Sequence, residues 1–189
     1  AVAKIFDVAQ QRDNQSVTHI RSIVMENYKK LNELIKSGAK FNGIPTGYTG
    51  LDMKLQGLQP GQLVLIAARP GMGKSSFAVN IAQNISIRQK IPTAIFTLEM
   101  TKEEVTSRIL SSEARVDNKK LRTGDLTTQE VEKYMERLEP VASAPIYIDD
   151  TASISITELR AKCKRLKLEK NLGLVIVDYL QLMSGTSKE

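Results

Sequence analysis

The sequence predicts an α/β domain in which a mostly parallel sheet is flanked by helices and organised around a glycine-containing turn between a strand and a helix. Three observations predict it. The apolar run Leu63-Val64-Leu65-Ile66-Ala67 feeds a glycine-containing turn, which opens into a stretch with Phe77, Ala78, Val79, Ile81, Ala82 and Ile85 at helical spacing. Two later runs each stop on an acid: Thr93-Ala94-Ile95-Phe96-Thr97-Leu98 on Glu99, and Leu172-Gly173-Leu174-Val175-Ile176-Val177 on Asp178. Helical patterns separate these runs, and strands that alternate with helices favour a parallel, wound sheet.

In chain order, residues 2–12 read as a short amphipathic helix with Val2, Ile5, Phe6, Val8 and Ala9 on one side, followed by polar Asp13 to Ser16. A second helix is expected from about Val17 to Ser37, with Ile20, Val24, Leu31, Leu34 and Ile35 as its apolar face and Gly38 as its stop. The run over 63–67 reads as a buried strand, and the helix after the glycine turn is expected over about 74–90. Three more helices are announced by capping boxes: Thr101 with Glu104, Thr127 with Glu130, and Ser155 with Glu158. Pro145-Ile146-Tyr147-Ile148 reads as a short strand before Asp149-Asp150, and the last strand ends at Asp178.

The chemistry sits in Ala68-Arg69-Pro70-Gly71-Met72-Gly73-Lys74-Ser75, which together with Ser76 forms the candidate nucleotide-binding set. Gly71 and Gly73 let the backbone curl so that its N–H groups converge on an oxyanion, and the helix start adds a positive dipole end. Lys74 is placed to reach the β- and γ-phosphates, and the Ser75 hydroxyl to ligate Mg²⁺. Ala68 stands where the motif has Gly, which costs little unless that residue needs a positive φ. In parallel α/β sheets ligands bind beyond the carboxyl ends of the strands, where Glu99 and Asp178 fall. An acid after an apolar strand has the shape of a Walker B aspartate, so Asp178 is the second candidate Mg²⁺ ligand. Glu99 then has the role of orienting and deprotonating the attacking water, with Lys74 as its catalytic companion. ATP and Mg²⁺ are the expected ligands.

Composition narrows the field. A chain of 189 residues suffices for one domain with a real core. The formal charge of +6 is spread along the chain, and its densest cluster (Arg160, Lys162, Lys164, Arg165, Lys167, Lys170) reads as a solvated helix face. A single Cys and a single His argue against a disulfide framework and a zinc site. Without Trp and with few aromatics, the chain is a poor base-stacking platform. No run approaches the length of a membrane span and no signal peptide is seen, so the chain reads as cytoplasmic, with no membrane partner.

Longer stretches carry a more specific signal: Gly43-Ile-Pro-Thr-Gly-Tyr-Thr-Gly-Leu-Asp52, the run from Leu58 to Ser75, Asn80-Ile-Ala-Gln83, Leu98-Glu-Met100, Ser112-Glu-Ala-Arg-Val-Asp117, Arg122-Thr-Gly124 and Val177-Asp-Tyr-Leu-Gln-Leu-Met183. In these the chain from Phe41 to Met183 resembles the ATPase domain of replicative hexameric DNA helicases of the DnaB family, a branch of the RecA-like P-loop NTPases. Many members of that family carry the same Ala at the head of the loop. The resemblance implies that Glu99 is the catalytic glutamate and Asp178 the Walker B aspartate. It implies residues 1–14 as an interdomain linker helix that packs on an adjacent subunit, and 15–189 as the N-terminal part of the ATPase domain. A RecA-like sheet continues past Walker B, and in the family that later part holds the sensor glutamine, the DNA-facing loops and the arginine finger. The chain ends eleven residues past Asp178 and does not begin with Met, so it is expected to be a piece with its C-terminal strands missing, inactive alone. The implied activity is an ATP-driven motor that moves single-stranded DNA through a homo-hexameric ring and unwinds duplex, with primase and a helicase loader as partners. The competing expectations are a RecA-like ATPase that switches assembly, of recombinase or clock type, and a docking module without turnover.

Overall fold

The computed structural model describes residues 19–38 and 41–183, in a chain that divides into two compact units, 1–42 and 43–189. The helix expected over 2–12 lies outside the described residues. In the first unit, helix α1 (Ile20–Ser37) is capped by His19, whose Nδ1 accepts the Arg21 N–H at 3.2 Å. It stops at Gly38, which takes φ 61° in the left-handed region that a C′ glycine supplies. Ile20, Val24, Leu31 and Ile35, on its expected apolar face, are exposed.

The second unit opens with a loop held by a buried carboxylate. Asp52, in helix α2 (Thr49–Leu55), accepts the Thr46 N–H and hydroxyl, each at 2.7 Å, and the Gly47 N–H at 3.2 Å. Those bonds offset the cost of removing a carboxylate from water. Asn84 donates to the Thr46 carbonyl at 3.0 Å and ties this loop to the helix that follows the glycine turn.

From there helices and strands alternate: α3 (Lys74–Gln83), prolonged by a π turn at Asn84–Arg88; β1 (Thr93–Thr97); α4 (Lys102–Ala114); α5 (Asn118–Thr123); α6 (Thr128–Ala142); β2 (Ile146–Asp149); α7 (Ile156–Lys170); and β3 (Leu174–Asp178). The three strands form a parallel sheet in the order β2-β1-β3. Successive side chains of a strand face opposite ways, and β1, at the centre, buries both faces. Ile95 packs with Val79 and Ala82 of α3 and with Val105 and Ile109 of α4. Ala94 and Phe96 pack on the other side with Ile154 and Leu172, joined by Leu159 and Leu166 of α7. The sheet is thus sandwiched between helices, as the alternation of the sequence predicts.

The expected caps form. Thr101 and Thr127 each make the reciprocal box with Glu104 and Glu130, while Ser155 accepts the Glu158 N–H without the return bond, because Glu158 turns to Lys162 at 2.9 Å. At the second box Glu130 also meets Lys120 of α5 at 2.8 Å. The Lys120 ammonium, with the Thr127 N–H and hydroxyl, holds the Glu130 carboxyl down at about 2 against an ordinary 4.5. A carboxyl depressed on folding stabilises above its unfolded value and loses that contribution as pH falls through the folded value. The junction of α5 and α6 is therefore expected to loosen between about pH 4.5 and 2, and salt to weaken it, since the pair is only part-buried. An NMR titration of the Glu130 carboxyl checks this: a midpoint near 4.5 would mean that the box and the ion pair do not hold in solution. The basic residues of α7 behave as a solvated face, where Arg165 pairs with Glu169 and Lys162 with Asp149.

One expectation fails. Leu63 to Ala67 is not a strand and is not buried: Leu63, Val64, Leu65 and Ile66 are 77, 42, 69 and 39% exposed. A strand exists through the neighbour that takes its N–H and C=O groups. Both edges of β1 are occupied by β2 and β3, and no described residue pairs with 63–67. The composition is that of a strand, but the ladder is not there.

Candidate active site

Parallel register assembles the two acids. Thr97, the last residue of β1, lies opposite Asp178, the last residue of β3, and the Leu98 N–H donates to the Asp178 carbonyl at 2.8 Å. Glu99 follows immediately in an exposed turn, with no hydrogen-bond or ionic partner among the described residues. Asp178 is buried, at 8% exposure.

The loop meets this edge through α3. Lys74 is its first residue, and its ammonium lies 3.1 Å from Asp178 Oδ1 and 4.1 Å from the centroid of the Tyr179 ring. Lys74, predicted for phosphate, and Asp178, predicted for the metal, are therefore in direct contact. Gly71 and Gly73 take φ 77° and 82°. A Cβ at either would meet nothing within 4 Å, so these positions need glycine for the left-handed backbone rather than for space. Ala68 is not among the residues with positive φ, and alanine is tolerated there at little cost, as expected.

Gly73 caps α3 without a side-chain bond, and the first helical bond is Phe77 N–H to the Gly73 carbonyl at 2.9 Å. The N–H groups of Lys74, Ser75 and Ser76 have no acceptor among the described residues. Free N–H groups at a helix start with a lysine beside them suit a phosphate. The Ser75 hydroxyl and the Asp178 carboxylate are the hard oxygen donors that Mg²⁺ prefers. Arg69, Pro70 and Met72 are exposed residues of the same turn. Arg108 of α4 reaches the Ser76 hydroxyl at 3.5 Å, at the outer limit of a hydrogen bond. Neither Arg108 nor Tyr179 stands out in the sequence as a site residue; the position of Tyr179 directly after Asp178 is the one available signal. A polar cavity of about 920 Å³ lies elsewhere, lined by Tyr48, Asn80, Arg88, Arg115 and Arg137 among others, and none of Lys74, Ser75, Glu99 or Asp178 borders it.

With this geometry in hand, residues 43–189 match the family model described as the DnaB-like helicase C terminal domain. The chain belongs to this family. Among curated relatives of this DnaB-like chain, the replicative DNA helicase DnaB of Geobacillus stearothermophilus is 41% identical over 188 residues, 98% of this chain and 41% of that protein. The replicative DNA helicase DnaC of Bacillus subtilis (strain 168) is 39% identical over 97% of this chain and 40% of its own length. The DnaB-like chain thus spans about two-fifths of these relatives. In three dimensions it superposes on a solved ATPase domain with a TM-score of 0.78 and 28% identity, covering 87% of this chain and 59% of the other. A DnaB-like replicative helicase, whose structure was described together with its interactions with primase, gives a TM-score of 0.77 and 28% identity over 98% of this chain and 48% of that one. The parallel sheet and its flanking helices are those of a RecA-like ATPase domain of DnaB helicases.

Proposed function

We propose that this chain is the nucleotide-binding part of an ATP-driven replicative DNA helicase motor, in which hydrolysis at subunit interfaces of a homo-hexamer drives translocation on single-stranded DNA and duplex unwinding. The observation that carries the reading is the convergence of Lys74 and Asp178 at 3.1 Å, on the sheet edge that also carries Glu99, in a DnaB-like sequence. The names of the relatives support the helicase part; the primase contact described for one structural neighbour supports primase as a partner.

In this reading the free N–H groups of Lys74, Ser75 and Ser76 bind phosphate oxygens, and Gly71 and Gly73 let the backbone come close to them. Lys74 leaves Asp178 for the β- and γ-phosphates, so the resting ion pair keeps both side chains aimed at the site. Ser75 and Asp178 would hold Mg²⁺, which supplies charge neutralisation on the phosphates. Glu99 orients a water and takes its proton, and its freedom from other partners leaves both carboxylate oxygens available. The domain limits, 1–14 for a linker and 15–189 for the ATPase part, belong to this proposal, as does a helicase loader.

The reading is tested in the full-length protein with Asp178→Asn. The amide removes the metal-facing charge, so half-saturation by Mg²⁺ in ATP turnover is expected to move up by about tenfold or more, the factor that each lost 1.4 kcal/mol of ligation gives. An unchanged Mg²⁺ dependence would remove Asp178 from the metal site. ATP turnover that single-stranded DNA does not stimulate, with no strand separation, would favour the assembly switch instead.

A further inference from the structure

A hydroxyl sits where the core has no use for one. Thr97 closes the buried strand β1 at 2% exposure, in a row with Ala94, Ile95 and Phe96. Valine has nearly the same shape, the same β preference and no polar group to remove from water. The threonine hydroxyl instead makes two bonds to one residue: it donates to the Met100 carbonyl at 2.9 Å and accepts the Met100 N–H at 3.1 Å. A hydroxyl has one proton to give, and here both its donor and an acceptor function close the same three-residue turn.

That turn is Leu98-Glu99-Met100. Its start is held by the Leu98 N–H on the Asp178 carbonyl at 2.8 Å. Its end abuts Thr101, the cap of α4. Between them the Glu99 side chain has no hydrogen bond or ion pair among the described residues, so the course of the backbone is the main constraint on where its carboxylate points. The side-chain bonds that set this backbone come from Thr97.

We propose that Thr97 is a positioning residue for the hydrolytic step, its hydroxyl holding the 98–100 turn so that the Glu99 carboxylate faces the attacking water beside Asp178. This rests on the reading of Glu99 as the base. Thr97 touches neither nucleotide nor metal in this scheme; it acts through Glu99. A misplacement of about 1 Å at a catalytic group costs on the order of 10²-fold in rate.

The test compares Thr97→Val, Thr97→Ser and Glu99→Gln, with the double variant, in the full-length protein, reading kcat, the Kd of a fluorescent adenine nucleotide with Mg²⁺, and thermal stability. Thr97→Val is expected to lower kcat by roughly 10–100-fold with nucleotide Kd within about twofold, and Thr97→Ser to restore kcat to within about threefold. In the Glu99→Gln background Thr97→Val is expected to change nothing further, since residues that act as a unit are not additive. Should Thr97→Val fail to fold, Thr97→Cys, a weak donor and acceptor, is expected to give an intermediate loss of kcat at near-normal stability. An unchanged kcat in Thr97→Val, or in Thr97→Cys where that one stands in for it, overturns the proposal. So does a loss shared equally by kcat and binding, or a further loss on top of Glu99→Gln. Normal turnover in Glu99→Gln refutes the base assignment and the positioning role with it, whereas slow Glu99→Gln beside normal Thr97→Val refutes the positioning role alone.

Discussion

Glu99→Gln in the full-length protein is expected to lower ATP turnover by about 10²–10⁴-fold, the range for losing a general base. Nucleotide affinity is expected to stay close to that of the parent. The amide keeps the size and most of the hydrogen bonding of the acid but cannot take a proton. Glu99 is exposed and unengaged, so the change removes no contact that the fold relies on, and the turn retains its bonds from Thr97. Single-turnover rates and equilibrium binding separate the two effects. Near-normal turnover would remove Glu99 from catalysis, and a matching loss of affinity would make it a binding residue.

Lys74→Ala carries the other large effect, and it acts in two places. A hydrogen bond to a charged group contributes about 1.5–3 kcal/mol, so losing the ammonium is expected to weaken nucleotide binding by roughly 10–150-fold. The same change strips Asp178 of its only described cation, 3.1 Å away. The Asp178 side chain is 12% exposed and that of Lys74 28%, so the pair is partly screened and the stability loss falls short of that for a fully buried pair, at about 1–2 kcal/mol. Adding Asp178→Asn should recover most of that stability and none of the binding. Denaturant midpoints of the two variants, beside nucleotide titrations, test both halves. A Lys74→Ala protein that binds nucleotide normally would mean that the loop does not hold phosphate.

The helices were the most legible part of the fold, because their signals are local. Thr101, Thr127 and Ser155 announce their helices from within a four-residue window, and each cap forms. The short helices α2 and α5 escape, since seven and six residues are too few to display a periodicity. In α5 the N-cap Asp117 and the closing Gly124 are both present, but no apolar face accompanies them. The role of Asp52 was likewise invisible: one acid in a polar loop says nothing of the three hydrogen bonds that bury it.

The site divides along the same line. The identity of its chemical groups was written in the chain: two glycines in left-handed backbone, a lysine and a serine at a helix start, and an acid at the end of each of two apolar runs. Those depend on spacings of a few residues, which local backbone rules decide. The alternation of elements already implied that both acids share one sheet edge, but specific contacts with a partner distant in sequence were decided by the tertiary structure. The run 63–67 has strand composition and no strand, because a ladder needs a neighbour that composition cannot supply. The contact of Lys74 with Asp178, across 104 positions of sequence, exists because α3 packs beside β3. The register of the two parallel strands sets Thr97 opposite Asp178, and the two bonds from the Thr97 hydroxyl to Met100 belong to a residue whose composition-level reading is simply one more β-branched side chain. Short-range sterics choose the elements, while long-range pairing and packing choose which of their ends meet.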